Sequence, residues 1–116
     1  CGQYNMEDTS DMTRQLMEEY LPEKGTQEEL RRISSDLYIT DQFPSAYIMT
    51  AEGDFLREQA PYMYGKLKEK NVFCELHEYS SPKEKLMHVF HLNMRSEDAK
   101  RCNDDECEFF RKFIGR

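Results

Sequence analysis

The chain has 116 residues and a formal net charge of −7, and this length suits one small domain. Its basic residues are dispersed among more numerous acidic ones, and no apolar run approaches the ~18 residues of a membrane-spanning helix, so we expect neither nucleic acid binding nor a membrane span. Seven Tyr and seven Phe argue against disorder, which is poor in aromatic residues.

Two short helices are predicted in the N-terminal third. Apolar residues recur at steps of three to five between about residues 11 and 21, and Thr9, Ser10 and Asp11 are able N-caps for this helix. Its apolar face should consist of Met12, Leu16, Met17, Tyr20 and Leu21. Thr26 and Glu29 have the spacing of a capping box, which predicts a second, shorter helix. Residues 34–44 then form a connector with three expected core anchors: Leu37, Ile39 and Phe43.

A strand–helix–strand unit is predicted in the middle of the chain. The apolar run 46–50, bounded by Pro44 and Gly53, predicts a strand buried on both faces. A helix follows over about residues 55–69, and because Pro61 is tolerated only in a first turn, its regular part should begin near residues 58–60. Its inner stripe should be Phe55, Leu56, Ala60, Met63 and Leu67. Residues 72–79 predict a second strand, so the unit is a βαβ crossover with parallel strands and the fold class is α/β.

The last third is predicted as a loop and a long helix. Residues 83–92 lead into a short helix, and the long helix opens at Ser96 and runs to Ile114, where Gly115 stops it. The run from Asp104 to Glu106 is interpreted as a solvated face and not as a metal site, because consecutive helical residues point in different directions. We therefore treat residues 1–116 as one domain, with a helical lead-in over residues 1–33.

The four cysteines are interpreted as free thiols. Cys74 falls in the second predicted strand, where a lone Cys behaves as a small apolar residue. Cys102 and Cys107 are five residues apart on a predicted helix, about 140° apart around its axis, so they cannot easily pair and lack a zinc-site spacing. Free thiols predict a cytoplasmic protein. Because the chain begins at Cys1 and not at Met, we expect processing or truncation.

An acid and a histidine follow the two predicted strands. Asp54 comes directly after the first strand and His88 follows the second. In open α/β sheets functional groups collect at the carboxyl ends of the strands, so we expect these two side chains to meet. An aspartate fixes the tautomer of an imidazole, which can then take a proton from a serine hydroxyl and give it to a leaving alcohol. The two residues therefore predict part of a serine hydrolase site.

Each of these assignments has an alternative. Asp54 could serve only as the N-cap of the following helix. Glu52 lies on the same turn and could be a second acid of the site or an exposed turn residue. His91 competes with His88 for the catalytic role. His77 lies in the middle of a strand and is interpreted as structural.

Three stretches of the chain resemble α/β-hydrolases of the hormone-sensitive-lipase-like esterase, or acetylesterase, branch. Residues 43–57, Phe-Pro-Ser-Ala-Tyr-Ile-Met-Thr-Ala-Glu-Gly-Asp-Phe-Leu-Arg, resemble the acid-loop motif of that family. Residues 72–79 resemble its last strand, and His88-Val-Phe90 resembles its His-Gly-Phe motif. The likeness covers about Ser34 to Ile114. The chain departs from the family in having Phe55 where Pro often follows the acid, and Val89 in place of Gly.

The resemblance implies the C-terminal part of an α/β-hydrolase fold, with Asp54 as triad acid and His88 as general base and acid. It implies hydrolysis of small carboxylic esters through an acyl-serine intermediate, with no cofactor and no metal. The chain contains neither a Gly-x-Ser-x-Gly motif nor a His-Gly-Gly oxyanion loop, so the nucleophile should come from a missing N-terminal half, and the chain alone should be inactive.

Other partners and other functions also stay open at this point. Strand 46–50 should lack one neighbour, and exposed strand edges recruit other strands, so we expect self-association through it. The alternative functions are a non-catalytic α/β interaction module and a fragment of a serine peptidase of the prolyl-oligopeptidase type.

Overall fold

The computed structural model describes residues 2–7 and 10–114, which form four α-helices and two strands. The helices are α1 (Asp11–Tyr20), α2 (Gln27–Ile33), α3 (Gln59–Glu69) and α4 (Glu97–Arg111). The strands are β1 (Ala46–Ala51) and β2 (Cys74–Tyr79), and short 3₁₀ helices span Ser35–Tyr38 and Phe90–Leu92. None of the helices in this described part has the length and apolar character needed to cross a membrane.

The two strands pair in parallel, with α3 as the connection between them. Their register runs from Ala46 opposite Cys74 to Ala51 opposite Tyr79. The predicted βαβ unit is therefore confirmed, although β2 begins two residues later than the sequence predicted. The start of α3 at Gln59 agrees with the first-turn position required by Pro61.

Helix α3 covers one face of the sheet. Its buried residues Ala60, Met63 and Leu67 pack in one cluster with Ile48 of β1 and Cys74 of β2. Because side chains alternate along a strand, the even-numbered residues of β1 face this cluster. Of the inner stripe that the apolar period predicted, Ala60, Met63 and Leu67 are thus confirmed as buried residues of α3.

Helix α4 and the loop before it cover the other face. A second buried cluster contains Met49, Ala51, Tyr79, Leu86 and Cys102. On the same face the ring of Phe109, from α4, lies 5.5 Å from the ring of Tyr47, measured between centroids. The strands are therefore enclosed between α3 and α4, as expected for parallel strands.

The first helix is correctly placed, but its apolar face is not buried. Ser10 is its N-cap, and the Ser10 hydroxyl oxygen accepts a hydrogen bond from the Thr13 amide at 3.3 Å. Met12, Leu16 and Tyr20 are all more than half exposed, whereas the buried side chain of this helix is Thr13. A helical period reveals which face is apolar but not whether another element covers it. The alternative cap Thr9 lies outside the described residues.

Three further predictions about packing and helix ends were wrong. Leu37 is exposed, because the 3₁₀ helix Ser35–Tyr38 turns Asp36 inward instead. Phe55 is also exposed, since it lies in the turn before α3 and not on the inner stripe of the helix. Helix α4 ends at Arg111, so Ile114 follows it in a turn, and the predicted stop at Gly115 lies outside the described residues.

The N-terminal segment before α1 is fastened to the rest of the molecule by hydrogen bonds. The backbone amides of Tyr4 and Asn5 both donate to the side-chain carbonyl oxygen of Gln59, at 3.0 and 2.9 Å. The Met6 amide donates to the Ser34 hydroxyl at 3.0 Å. Residues 2–7 therefore contribute a segment without regular secondary structure to the predicted lead-in, in addition to its two helices.

Candidate active site

The carboxylate of Asp54 is buried at the carboxyl end of β1. One of its oxygens, Oδ1, accepts hydrogen bonds from the Leu56 amide at 2.9 Å and from His88 Nδ1 at 2.8 Å. The other oxygen, Oδ2, accepts from the Thr50 hydroxyl at 3.0 Å. The side chain is inaccessible to solvent. Asp54 is thus held on three sides by the strand it follows, the turn it begins and the facing histidine.

These contacts keep the Asp54 carboxylate ionised. Burial on its own would raise the pKa of the group, because a low dielectric disfavours charge. The hydrogen bonds from Leu56, His88 and Thr50 outweigh burial and lower the pKa of Asp54 below its ordinary value. At neutral pH the site therefore contains a carboxylate that accepts a hydrogen bond from the imidazole.

Gly53 allows the loop that carries His88 to approach the Asp54 turn. The Gly53 amide donates to the Leu86 carbonyl at 2.9 Å, and Gly53 forms a parallel bridge with Met87. A Cβ atom at Gly53 would lie 2.8 Å from that carbonyl oxygen and 2.7 Å from Met87 Sδ, which is closer than atoms can pack. This close approach therefore requires a glycine. The loop after β2 is joined to the turn after β1 at Met87 and Gly53, the residues that directly precede His88 and Asp54.

The His88 imidazole is bound by Asp54 at Nδ1 and packs against a neighbouring aromatic ring. Its Nδ1 atom is bound to Asp54, which leaves Nε2 as the ring nitrogen that can exchange a proton with another group. The ring of Phe55 lies 4.6 Å away between centroids, at an interplanar angle of 51°. The next residue, Val89, has a φ of 54° and turns the chain into the 3₁₀ helix Phe90–Leu92.

The other histidines have different surroundings. His77 stacks on Tyr47 with centroids 4.5 Å apart, and its Nε2 lies 3.1 Å from Glu75. His91 lies against Phe90, and its Nδ1 is buried without a hydrogen-bond partner among the described residues. Among the described residues, the histidine ring that forms a hydrogen bond with Asp54 is that of His88.

Two further charged residues, Glu52 and Arg57, lie close to Asp54 in the sequence. Glu52 is half-buried next to Gly53. Arg57, in the turn before α3, forms an ion pair with Glu78 of β2 at 2.5 Å, and both side chains are close to half exposed. Their exposure means that this pair contributes little to stability.

The acidic run on α4 is only partly solvated. Asp104 is exposed, but Asp105 accepts a hydrogen bond from the Tyr79 hydroxyl at 2.6 Å and is half-buried. Burial and this bond to a carboxylate both raise the pKa of Tyr79. Over residues 2–7 and 10–114, no group of three or more His, Cys, Asp or Glu side chains is arranged to hold a metal ion. Cys74, Cys102 and Cys107 are free thiols.

Sequence reasoning missed three contributors to the site. The apolar run predicts Thr50 only as part of a buried strand, although its hydroxyl, four residues before Asp54, is a potential donor to that carboxylate. The sequence indicates Gly53 only as the boundary of a strand and predicts Phe55 as a core residue. The contacts of Gly53 and Phe55 are with residues more than thirty positions away, and no local pattern could have indicated them.

Comparison with known proteins identifies the family of the chain. The sequence model of a family described as alpha/beta hydrolase fold matches residues 3–92. The chain belongs to this family, whose members are of the hormone-sensitive-lipase and esterase type. No curated protein and no solved structure matches the chain significantly.

Family membership makes the chain a partial α/β-hydrolase, as the sequence resemblance implied. The matched region begins earlier than that resemblance did and includes α1 and α2. It ends at the 3₁₀ helix Phe90–Leu92, so α4 lies beyond it.

Proposed function

We propose that the chain contributes the acid and the general base of a carboxylic ester hydrolase that acts through an acyl-serine intermediate. The observation that carries this proposal is the hydrogen bond of 2.8 Å between the buried Asp54 carboxylate and Nδ1 of the partly exposed His88. A base whose second nitrogen is oriented by a buried acid is the arrangement that activates a serine hydroxyl. Membership of the alpha/beta hydrolase fold family supports a hydrolytic role for this pair.

In the proposed mechanism each residue has a separate role. Nε2 of His88 takes the proton from a serine hydroxyl as the oxygen attacks the ester carbonyl, and then gives it to the departing alcohol. Asp54 holds the imidazole in the tautomer with a proton on Nδ1, and its negative charge stabilises the imidazolium formed after proton transfer. The lowered pKa of Asp54 suits this role, because the group must stay ionised throughout.

The serine and the oxyanion donors are proposed to come from outside these 116 residues. The chain has no Gly-x-Ser-x-Gly motif, in which the serine stands on a sharp strand-to-helix turn. The polypeptide that supplies this turn would have to bring the serine hydroxyl within hydrogen-bond reach of His88 Nε2. The chain alone should therefore hydrolyse no ester, and small acyl esters are the proposed substrates of the assembled site.

The test compares the chain with the longer protein encoded by its reading frame. Hydrolysis of p-nitrophenyl acetate is measured for both, and then for Asp54→Asn and His88→Ala variants of the longer protein. We expect activity in the longer protein only, with losses of about 10⁴- to 10⁶-fold in turnover in the two variants. Glu52→Gln and His91→Ala are matched controls, since each replaces a neighbouring residue of the same type outside the proposed pair.

Each other outcome has a definite meaning. Unchanged turnover in both site variants would refute the proposed roles of Asp54 and His88. Absence of ester hydrolysis in the longer protein, together with cleavage of proline-containing peptides, would favour the peptidase alternative. Absence of both activities would favour a non-catalytic module.

A further inference from the structure

Phe55 occupies an unusual position for a large aromatic residue. It is 55% exposed and directly follows the buried Asp54. Its ring lies 4.6 Å from the His88 ring, within the range in which aromatic rings interact favourably. An exposed phenylalanine contributes little to a core, so its packing against the site histidine is the contact that stands out.

The backbone of Phe55 is held on both sides. Asp54 precedes it, and the amide of Leu56, which follows it, donates to the Asp54 carboxylate at 2.9 Å. This closes a turn in which the carboxylate binds the backbone two residues ahead, and Phe55 is the residue enclosed by it. The Phe55 side chain therefore leaves a fixed point of the chain, next to the group that binds His88.

We propose that Phe55 is a positioning residue for the His88 imidazole. Asp54 holds one edge of the ring through Nδ1, but a single hydrogen bond allows the ring to rotate about its Cβ–Cγ bond. The Phe55 ring packs against the imidazole, tilted by 51° to its plane, and opposes this rotation. Together the two contacts keep the Nδ1–H group of His88 directed at the Asp54 carboxylate and leave Nε2 available to a nucleophile.

This inference deepens the proposed function and rests on it. The turn is closed by the hydrogen bond from the Leu56 amide to the Asp54 carboxylate, so the Phe55 side chain takes no part in closing it and is free to contact the histidine.

The test measures the tautomer of His88 in the 116-residue chain by ¹⁵N–¹H NMR, which reports which ring nitrogen carries the proton. The variants are Phe55→Ala, Phe55→Leu and Phe55→Tyr. We expect Ala and Leu to raise the population with the proton on Nε2 by about 2- to 10-fold, the effect of losing one aromatic pair. Tyr should restore the original ratio, because it keeps the ring.

Phe110→Ala is the matched control, because Phe110 is 59% exposed and its ring contacts Phe109 on α4. It should leave the His88 tautomer unchanged. Thermal unfolding of each variant separates a local effect from a loss of fold, and the Leu variant serves if the Ala variant does not fold. An unchanged tautomer ratio in the folded Ala or Leu variant would overturn the proposal.

A failure of this proposal can be told apart from a failure of the proposed function. If the tautomer shifts as expected but the longer protein hydrolyses no ester, Phe55 positions His88 and the esterase proposal is wrong. If the tautomer does not shift but the longer protein is an active esterase dependent on Asp54 and His88, the catalytic roles hold and the role of Phe55 is refuted.

Discussion

Replacement of Asp54 by Asn should destabilise the isolated chain in a pH-dependent way. Asn keeps the size of the side chain but removes its charge and one acceptor oxygen. The buried carboxylate accepts bonds from Leu56, Thr50 and His88, so the variant weakens three contacts at one site. Hydrogen bonds to charged groups contribute about 1.5–3 kcal/mol each, but the Asn carbonyl and a rotated Thr50 hydroxyl recover part of this. We expect a net loss of about 2–3 kcal/mol at pH 7.

The pH dependence follows from the lowered pKa of Asp54. A group whose pKa is lower in the folded state stabilises the fold above its unfolded pKa, and this contribution is lost as the pH falls through the folded pKa. The ordinary value for Asp is 3.8, so the contribution is complete near neutral pH and disappears below that value. The Asn variant has no such group. The difference in unfolding free energy between the two proteins should therefore begin to shrink as the pH approaches 3.8 and should continue to shrink as the pH falls further.

Urea unfolding at a series of pH values, followed by circular dichroism, measures this difference. Asp104→Asn is the control, because Asp104 is exposed on α4 and its replacement should change stability little at any pH. A gap between the native chain and Asp54→Asn that stays constant from neutral to acidic pH would refute the electrostatic reasoning. Equal stability at pH 7 would show that the three hydrogen bonds contribute nothing net.

Three further substitutions test the geometry around the site and beneath it. Gly53→Ala should lower the free energy of unfolding by about 1–3 kcal/mol and separate His88 from Asp54, because the new Cβ would lie only 2.8 Å from the Leu86 carbonyl oxygen. Thermal unfolding measures the loss of stability, and the NMR signals of the His88 ring measure the separation. Val89→Gly should stabilise the chain by about 0.5–2 kcal/mol in urea unfolding. Relief of the strained positive φ of Val89 contributes about 1–3 kcal/mol, which exceeds the cost of the entropy that glycine adds to the unfolded state. Equal or lower stability of the variant would contradict this reasoning. Tyr79→Phe should cost about 1–2 kcal/mol in the same assay because Asp105 loses its donor, whereas the exposed Tyr20→Phe should be neutral.

Local sequence signals were sufficient for the elements that carry the site. The run of apolar residues in β1, the position of Pro61 and the apolar period of α3 together predicted the βαβ unit. Thr26 accepts the hydrogen bond that its spacing to Glu29 predicted, and Ser10, one of three candidate caps for the first helix, accepts a hydrogen bond from Thr13. These features depend on residues a few positions apart, so the chain encodes them before any tertiary contact forms.

The placement of Asp54 and His88 after their strands was also predictable. Parallel strands bring their carboxyl ends to one edge of the sheet, so residues that follow two neighbouring strands must come close. Family membership over residues 3–92 agrees with the resemblance that the motifs suggested. The roles of the two residues in catalysis stay a prediction.

Tertiary structure alone decided which apolar faces are covered. The face of α1 that contains Leu16 is as apolar as that of α3, but it is exposed. Likewise Asp105 lies in an acidic run with no local sign of a partner, and it receives the Tyr79 hydroxyl from a strand 26 residues away. An apolar period or a run of acidic residues is a property of one segment of the sequence. Whether its side chains are buried depends on which other segment packs against it in the folded chain.

The finer geometry of the site likewise arises from contacts distant in sequence. The amino-acid sequence by itself determined that a buried strand leads into a turn with Gly53 and Asp54 and that His88 follows the next strand. Only the folded chain determined that Gly53 binds the Leu86 carbonyl and that the Phe55 ring packs against the imidazole. The Asp54–His88 bond joins residues 34 positions apart, and such a contact exists only after packing has closed the intervening loop and met its entropic cost.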